Sequence, residues 1–235
     1  MAAAEPLLRV RVAGEPASFA TSREVAWREQ VAVALAEVPF DPAGTVLSLD
    51  LVASPEPGLP FGPGLDDLCE PVIAAAVGRL GWFGGKRPNI KGLWARKRIG
   101  PRVGVDIAVF SSWMDVSVGD VPVLLDATYP GEPPRSGRDL EFAQWVGREL
   151  RALPSPGSRV AVRLAYAGRM NIADVSTGRL KSTIDCLWPV LGGTPGAPDD
   201  GRVTILAATQ GEGMGRPGVR VTVMSQGQTR PVGVN

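Results

Sequence analysis

Histidine is absent from all 235 residues. With it go the commonest general base of enzymes, the serine and cysteine triads that rely on an imidazole, and most zinc and iron sites. Any metal chemistry must therefore run on carboxylates, which suits Mg²⁺ or Mn²⁺. Cysteine is nearly absent: Cys69 and Cys186 stand 117 residues apart in apolar surroundings. An intracellular chain keeps such thiols reduced, so both are expected in the core. No stretch approaches the roughly 18 uninterrupted apolar residues of a membrane-spanning helix. The start Met1-Ala2-Ala3-Ala4-Glu5-Pro6 lacks a basic segment followed by an apolar one, so a cytoplasmic protein with no membrane partner is expected. Net charge also says little, because 25 Lys and Arg face 24 Asp and Glu.

What is present describes a packed globular chain, 44% hydrophobic and 21% charged, with 29 glycines and 22 prolines that predict many turns. The length admits one or two domains. Charge distribution is more informative than its total. Between Pro71 and Val105 there is no acidic residue, while Arg79, Lys86, Arg87, Lys91, Arg96, Lys97, Arg98 and Arg102 all fall inside. Trp82 and Trp94, with Ile90, Leu93 and Ile99, are interleaved with these cations. The segment thus reads as a structured basic surface suited to nucleic-acid phosphates, with Lys86, Arg87, Lys91, Trp94, Arg96, Lys97, Arg98 and Arg102 as its contacts. A solubilising loop neutralised by distant carboxylates is the alternative.

The chain also resembles itself. Gly14-Glu15-Pro16 recurs as Gly131-Glu132-Pro133, 117 residues on, and Trp27 and Trp145 sit in helix-like stretches 118 residues apart. In the first stretch Ser22 is a plausible cap, with Trp27, Val31, Ala34 and Leu35 on one face. Alternating strands are expected at Thr45–Val52 and Arg159–Tyr166, then at Val103–Val109 and Val219–Val223. This spacing predicts a tandem repeat, 1–117 and 118–235, with its junction near Asp115–Asp120. Turns around Arg98–Arg102 and Gly211–Gly215 are expected to be hairpins.

The order of elements, with a polar segment entering the second helix of each half, resembles the RusA-type Holliday junction resolvases, small α/β nucleases that act as homodimers. Their motif reads Asp-x-Asp-Asn-x-x-Lys-x-x-x-Asp-x-Leu, followed by a Gly-aromatic pair and an Asp-Asp that opens the next strand. The resemblance implies an α/β fold with a mixed α+β sheet, built as two tandem RusA-like repeats forming an intramolecular pseudo-dimer. It also implies three carboxylates that bind Mg²⁺ beside a lysine, and a role in DNA recombination and repair.

Carried onto this sequence, the motif is incomplete in each half. In Val175–Leu187 the lysine survives as Lys181 and the helix aspartate as Asp185, but Val175 and Thr177 replace two metal-binding aspartates. The paired Asp survives as Asp199-Asp200. In the first half Asp66 is retained beside Asp67, Gly64 stands at the first aspartate, Glu70 at the lysine, and Gly85-Lys86 at the paired Asp. Two functions follow. One is a catalytically degenerate protein that binds branched or duplex DNA through its basic surface. The other is a Mg²⁺-dependent junction endonuclease with one composite site, using Asp66, Asp200 and Lys181 for catalysis and Asp66, Asp67, Asp199 and Asp200 as metal ligands. Without a site, Asp66 and Asp67 read as helix caps and Asp199-Asp200 as turn residues. A protein-interaction module using the fold alone is a third reading.

Overall fold

A computed structural model describes residues 5–38, 45–55, 61–78, 90–112, 121–167, 172, 178–211, 217–227 and 229–231. The expected junction at Asp115–Asp120 lies outside them. In chain order the elements are β1 (Leu8–Ala13), α1 (Glu24–Ala36), β2 (Val46–Ala53), α2 (Leu65–Val77), β3 (Gly92–Ile99), β4 (Gly104–Phe110) and β5 (Val123–Tyr129). There follow α3 (Leu140–Glu149), β6 (Ala152–Pro154), β7 (Val160–Ala167), α4 (Arg179–Asp185) and α5 (Trp188–Leu191). The chain closes with β8 (Gly193–Thr194), β9 (Ala197–Pro198), a 3₁₀ turn at Asp200–Arg202, β10 (Val203–Gly211), β11 (Val219–Ser225) and β12 (Thr229–Pro231).

Eight strands form one mixed sheet in the order β1-β4-β2-β3-β10-β7-β11-β5. The fold is α/β, with five helices among the described residues. The sense of pairing reads the same from either edge. β1–β4 and β4–β2 are antiparallel and β2–β3 parallel; β5–β11 and β11–β7 are antiparallel and β7–β10 parallel. The central pair, β3 with β10, is antiparallel, with Ala95 opposite Leu206 and Arg96 opposite Ile205. The turn expected to be a hairpin at Arg98–Arg102 instead joins strands that are not neighbours; residues 212–215 of the second lie outside the described residues, but the strands flanking them are likewise not neighbours. β2 lies between β3 and β4, and β7 between β10 and β11.

Period-two alternation decides which face each strand residue covers. Leu47, Leu49 and Leu51 of β2, Val162, Leu164 and Tyr166 of β7, and Leu206 and Ala208 of β10 share one continuous core with residues of all five helices. Trp27, Val31 and Leu35 line the buried side of α1, and Phe142, Trp145 and Val146 that of α3. Cys69 and Cys186 are buried free thiols, as expected. The opposite strand face carries Trp94, Arg96, Arg163, Arg220, Asp50 and Asp126, the residues of the other parity. No described helix is long and apolar enough to cross a membrane.

Ser22 does not cap α1: the helix begins after Arg23 with no side-chain cap, and Glu24 accepts the Ala20 amide instead at 2.7 Å. At α3 Asp139 does cap, accepting from the Phe142 amide at 3.1 Å. Gly104 opens β4 at φ +141°, where a Cβ would lie 2.3 Å from the Val12 carbonyl oxygen. Gly104→Ala is therefore expected to destabilise the protein by at least about 2 kcal/mol, lowering Tm by about 4–8 °C. A melting curve within a degree of wild type would contradict the close β1–β4 approach.

Candidate functional site

Strand direction brings the site together. β2 and β3 run parallel and β10 runs against them, so the entry to α2 and the 3₁₀ turn before β10 meet at one end of the sheet. There Asp66 and Asp67 occupy the first turn of α2, α4 supplies Lys181 and Asp185, and Asp200 opens the 3₁₀ turn. One oxygen each from Asp66, Asp67 and Asp200 lies within 4.8 Å of the others. The Lys181 ammonium stands among them, with Nζ 2.9 Å from Asp66, 3.3 Å from Asp67, 3.2 Å from Asp185 and 3.4 Å from Asp200.

Each side chain is placed by a local cause. α2 starts at Gly64 with no side-chain cap, so Asp66 and Asp67 are not the N-caps their position suggested; both turn toward Lys181. Pro71 lacks the amide that would bond the Asp67 carbonyl, and the Phe19 amide takes that acceptor at 2.9 Å. The first turn of α2 is thereby anchored to the chain before α1. Gly64 is needed for space: a Cβ there would lie 2.9 Å from both Asp200 Oδ2 and Asp66 Oδ1. Asp200 from the second half thus fills the room beside Gly64. Gly137 similarly admits Asp185, whose Cβ would lie 2.4 Å from a side chain at that position. Lys181 and Asp185 share a helix face one turn apart.

Four carboxylates surround one ammonium, an excess of negative charge in a half-buried place. Burial, then the neighbouring Asp66 carboxylate, pushes Asp200 up to about 6. Asp67 is raised by burial and by Asp66, and Asp185 chiefly by burial. Burial pulls Lys181 down, but Asp66 and Asp67 outweigh it and hold the ammonium charged well above the usual lysine range. The cluster thus favours protons or cations, and its three closest carboxylates suit one hard divalent cation.

Beneath it lies Lys97. The basic-surface expectation treats this residue as an outward phosphate contact, but it is only 3% exposed. Its ammonium donates to the Pro63 carbonyl, just before the Asp66–Asp67 turn, and to the Gly201 carbonyl, next to Asp200, at 2.8 Å. Burial lowers its pKa to about 8. The signal was available in the strand's alternation, since Leu93, Ala95 and Lys97 share the inner parity.

The other expected contacts are dispersed. Arg96 and Arg98 both bind Asp50 on the outer strand face, and Arg96 lies over the Trp94 ring at 5.7 Å. Lys91 and Arg102 are exposed at opposite ends of β3. Lys86 and Arg87 lie outside the described residues. Asp199 is exposed and outside the carboxylate group; its carbonyl accepts from the Arg202 amide at 3.3 Å, so its backbone role is to close the turn. A hollow of about 370 Å³ on the outer face is lined by Trp94, Arg163, Arg220 and Asp126. Its Arg220 is already neutralised by Asp126 at 3.0 Å. Asp185, the retained motif aspartate that the composite-site reading left out, joins the cluster through its one-turn spacing from Lys181.

No protein-family profile matches the chain, and comparison with curated proteins finds no relative.

Asp200→Asn removes one repelling charge, so in chelator it is expected to stabilise the protein by on the order of 1–2 kcal/mol near pH 7. The folded-state pKa is raised, so the wild type loses this stability as pH rises from the ordinary aspartate range through about 6. The gain should therefore be small at pH 4 and full above pH 6.5. Melting curves of both proteins at the two pH values measure it; a variant that melts lower throughout would show Asp200 to be a net stabiliser. Lys97→Met leaves two carbonyls without their donor, and is expected to weaken Mn²⁺ binding by about 10-fold, read by calorimetry on protein that circular dichroism shows to be folded. Unchanged affinity would reduce Lys97 to a packing role.

Proposed function

We propose that the chain is a Mg²⁺- or Mn²⁺-dependent nuclease of junction-resolvase type, with one composite site assembled from both halves. The observation that carries this reading is the convergence of Asp66, Asp67 and Asp200 within 4.8 Å, from segments more than 130 residues apart. A second support is the palindromic sheet order, which fits a duplicated RusA-like unit, residues 1–117 and 118–235, mimicking a homodimer in one chain. Neither half holds the metal-binding set of the resembling family in its own motif. Together they supply three carboxylates and a lysine.

Asp66, Asp67 and Asp200 would hold the cation, whose chemistry is to polarise a phosphodiester oxygen and lower the pKa of a bound water. The chain's own groups do the rest. Asp185 keeps Lys181 aligned along α4. With such a cation bound, Lys181 would be free to donate to a non-bridging phosphate oxygen and offset the charge that develops there. Lys97 fixes both carboxylate-bearing turns to the central strand. DNA is the partner this reading implies, approaching from the helix side of the sheet end.

One observation favours a second reading. Lys181 already touches every carboxylate of the group, as a resident cation would in a protein that binds branched DNA without cutting it. The charge count weighs against it: Lys181 and the buried Lys97 together face four carboxylates, and burial, with the Asp66 charge adding to it, raises Asp67, Asp185 and Asp200.

A cleavage assay on a synthetic four-way junction with Mn²⁺ separates the two. The composite site predicts cutting that falls by about 100-fold or more in both Asp66→Asn and Asp200→Asn, the scale expected when a charge-stabilising group is removed, with junction binding retained. No cutting by any of the three proteins, with binding intact, would establish the non-catalytic reading.

A further inference from the structure

A second groove adjoins the carboxylate cluster, and no step above uses it. It is a hollow of about 590 Å³ lined by Phe61, Ser155, Ser158, Arg159, Gln226 and Gly227. Three observations tie it to the site. Phe61 and Gly62 lie directly over Gly201, the neighbour of Asp200: a Cβ on Gly201 would fall 2.7 Å from the Gly62 oxygen and 3.7 Å from the Phe61 Cβ. Arg202, two residues past Asp200, is buried and donates to the carbonyls of Ser155 at 2.8 Å and Ser158 at 3.0 Å. That bond set locks the Ser155–Ser158 turn to the 3₁₀ turn carrying Asp200. Finally, Arg159 is close enough to Lys97 for its charge to help lower the lysine's pKa, and Lys97 in turn holds Pro63 and Gly201.

The chemistry of the lining is specific. Arg159 is exposed, and it makes no ion pair among the described residues, unlike Arg96, Arg98 and Arg220, which are held by Asp50 and Asp126. Its backbone is fixed, with the Gln226 amide donating to its carbonyl at 2.8 Å. Gln226 Oε1 accepts from Thr204 Oγ1 at 2.7 Å, which orients the amide nitrogen of that side chain away as a donor. The groove therefore offers an aromatic ring, a guanidinium and polar donors in one hollow beside the turn that carries Asp200. A ring for a base and a cation for a phosphate, one step apart, is how single nucleic-acid strands are gripped without reading their sequence.

We infer that this groove is a strand-binding subsite, in which Phe61 stacks on the base next to the phosphate held at the carboxylate cluster and Arg159 pairs with the following backbone phosphate. The inference rests on the nuclease reading for the identity of the central phosphate, but its own test does not need cutting. In this arrangement the carboxylate side attracts a cation and the Arg159 side attracts the strand. The strand's direction across the site is thereby set by the chain itself.

The experiment is fluorescence anisotropy of an end-labelled oligonucleotide with a single-stranded branch, in Ca²⁺ to prevent turnover, over a salt series. Wild type is compared with Phe61→Ala, Arg159→Ala and Arg159→Lys. Loss of stacking or of the guanidinium should weaken binding by about 10-fold each, and Arg159→Ala should reduce the salt slope by about one, with Arg159→Lys restoring the slope. Mn²⁺ affinity, measured by calorimetry, should stay at the wild-type value in all variants. Because Phe61 is half-buried, its variant is read only alongside a wild-type melting curve; exposed Arg159 carries the test otherwise. Unchanged affinity and slope in Arg159→Ala overturn the subsite, even if the wild type cuts. Weakened binding without any cutting by the wild type upholds the subsite and sinks the nuclease reading instead. A wild type that binds no oligonucleotide overturns both.

Discussion

Everything at the candidate site depends on the antiparallel pairing of β3 with β10. Backbone amides and carbonyls in a sheet interior must be paired, and this pairing joins the edge of one four-stranded set to the edge of the other. Because the two strands run in opposite directions, the C-terminal end of β3 lies beside the N-terminal end of β10. The turn before α2 and the turn before β10 are thereby forced to one end of the sheet. Register then finishes the job: Ala95 opposite Leu206 puts Lys97 underneath both turns, where one ammonium ties Pro63 to Gly201. A slip of one residue would send Lys97 to the outer face and release both turns.

The electrostatics at that place are unfavourable for a purely structural purpose. A buried pair is weak evidence of stability even when its charges balance, and here four carboxylates share one ammonium. Burial, reinforced by the Asp66 charge, raises the pKa values of Asp67, Asp185 and Asp200. Two glycines, Gly64 and Gly137, leave room for aspartates that would otherwise not fit. Local instability of this kind, maintained by the surrounding fold, is typical of sites whose strain is relieved by a ligand. Lys181 and Lys97 offset part of it, and under the proposed function a divalent cation would offset the rest.

How much of this was legible in the sequence follows from where the information resides. Strand and helix positions were readable from alternation and from the Trp27 and Trp145 faces, because burial of one face imposes a period on the residues. Asp66, Asp67, Asp200 and Lys181 could be picked from motif positions, but their meeting could not, since it depends on a β3–β10 register that no local pattern encodes. The hairpin reading near Arg98–Arg102 failed for the same reason, and β10 and β11, flanking residues 212–215 outside the described set, are likewise not neighbours: a short turn between strands signals a reversal, not which strand sits beside which. Lys97 was misjudged because charge was counted along the chain, whereas the inner parity of Leu93 and Ala95 already turned it inward. Asp199 was included through its neighbour, and adjacent residues in a turn point different ways. Phe61 and Arg159 carried no signal for a shared groove, which depends on the Gly62–Gly201 approach and on the buried Arg202 holding the Ser155–Ser158 turn.

Anomalous diffraction from a crystal soaked in Mn²⁺ tests the composite site most directly. The account predicts one anomalous peak per chain, bounded by oxygens of Asp66, Asp67 and Asp200, with the Lys181 ammonium displaced from its central position. An empty cluster with Lys181 still bridging all four carboxylates at saturating Mn²⁺ would contradict it.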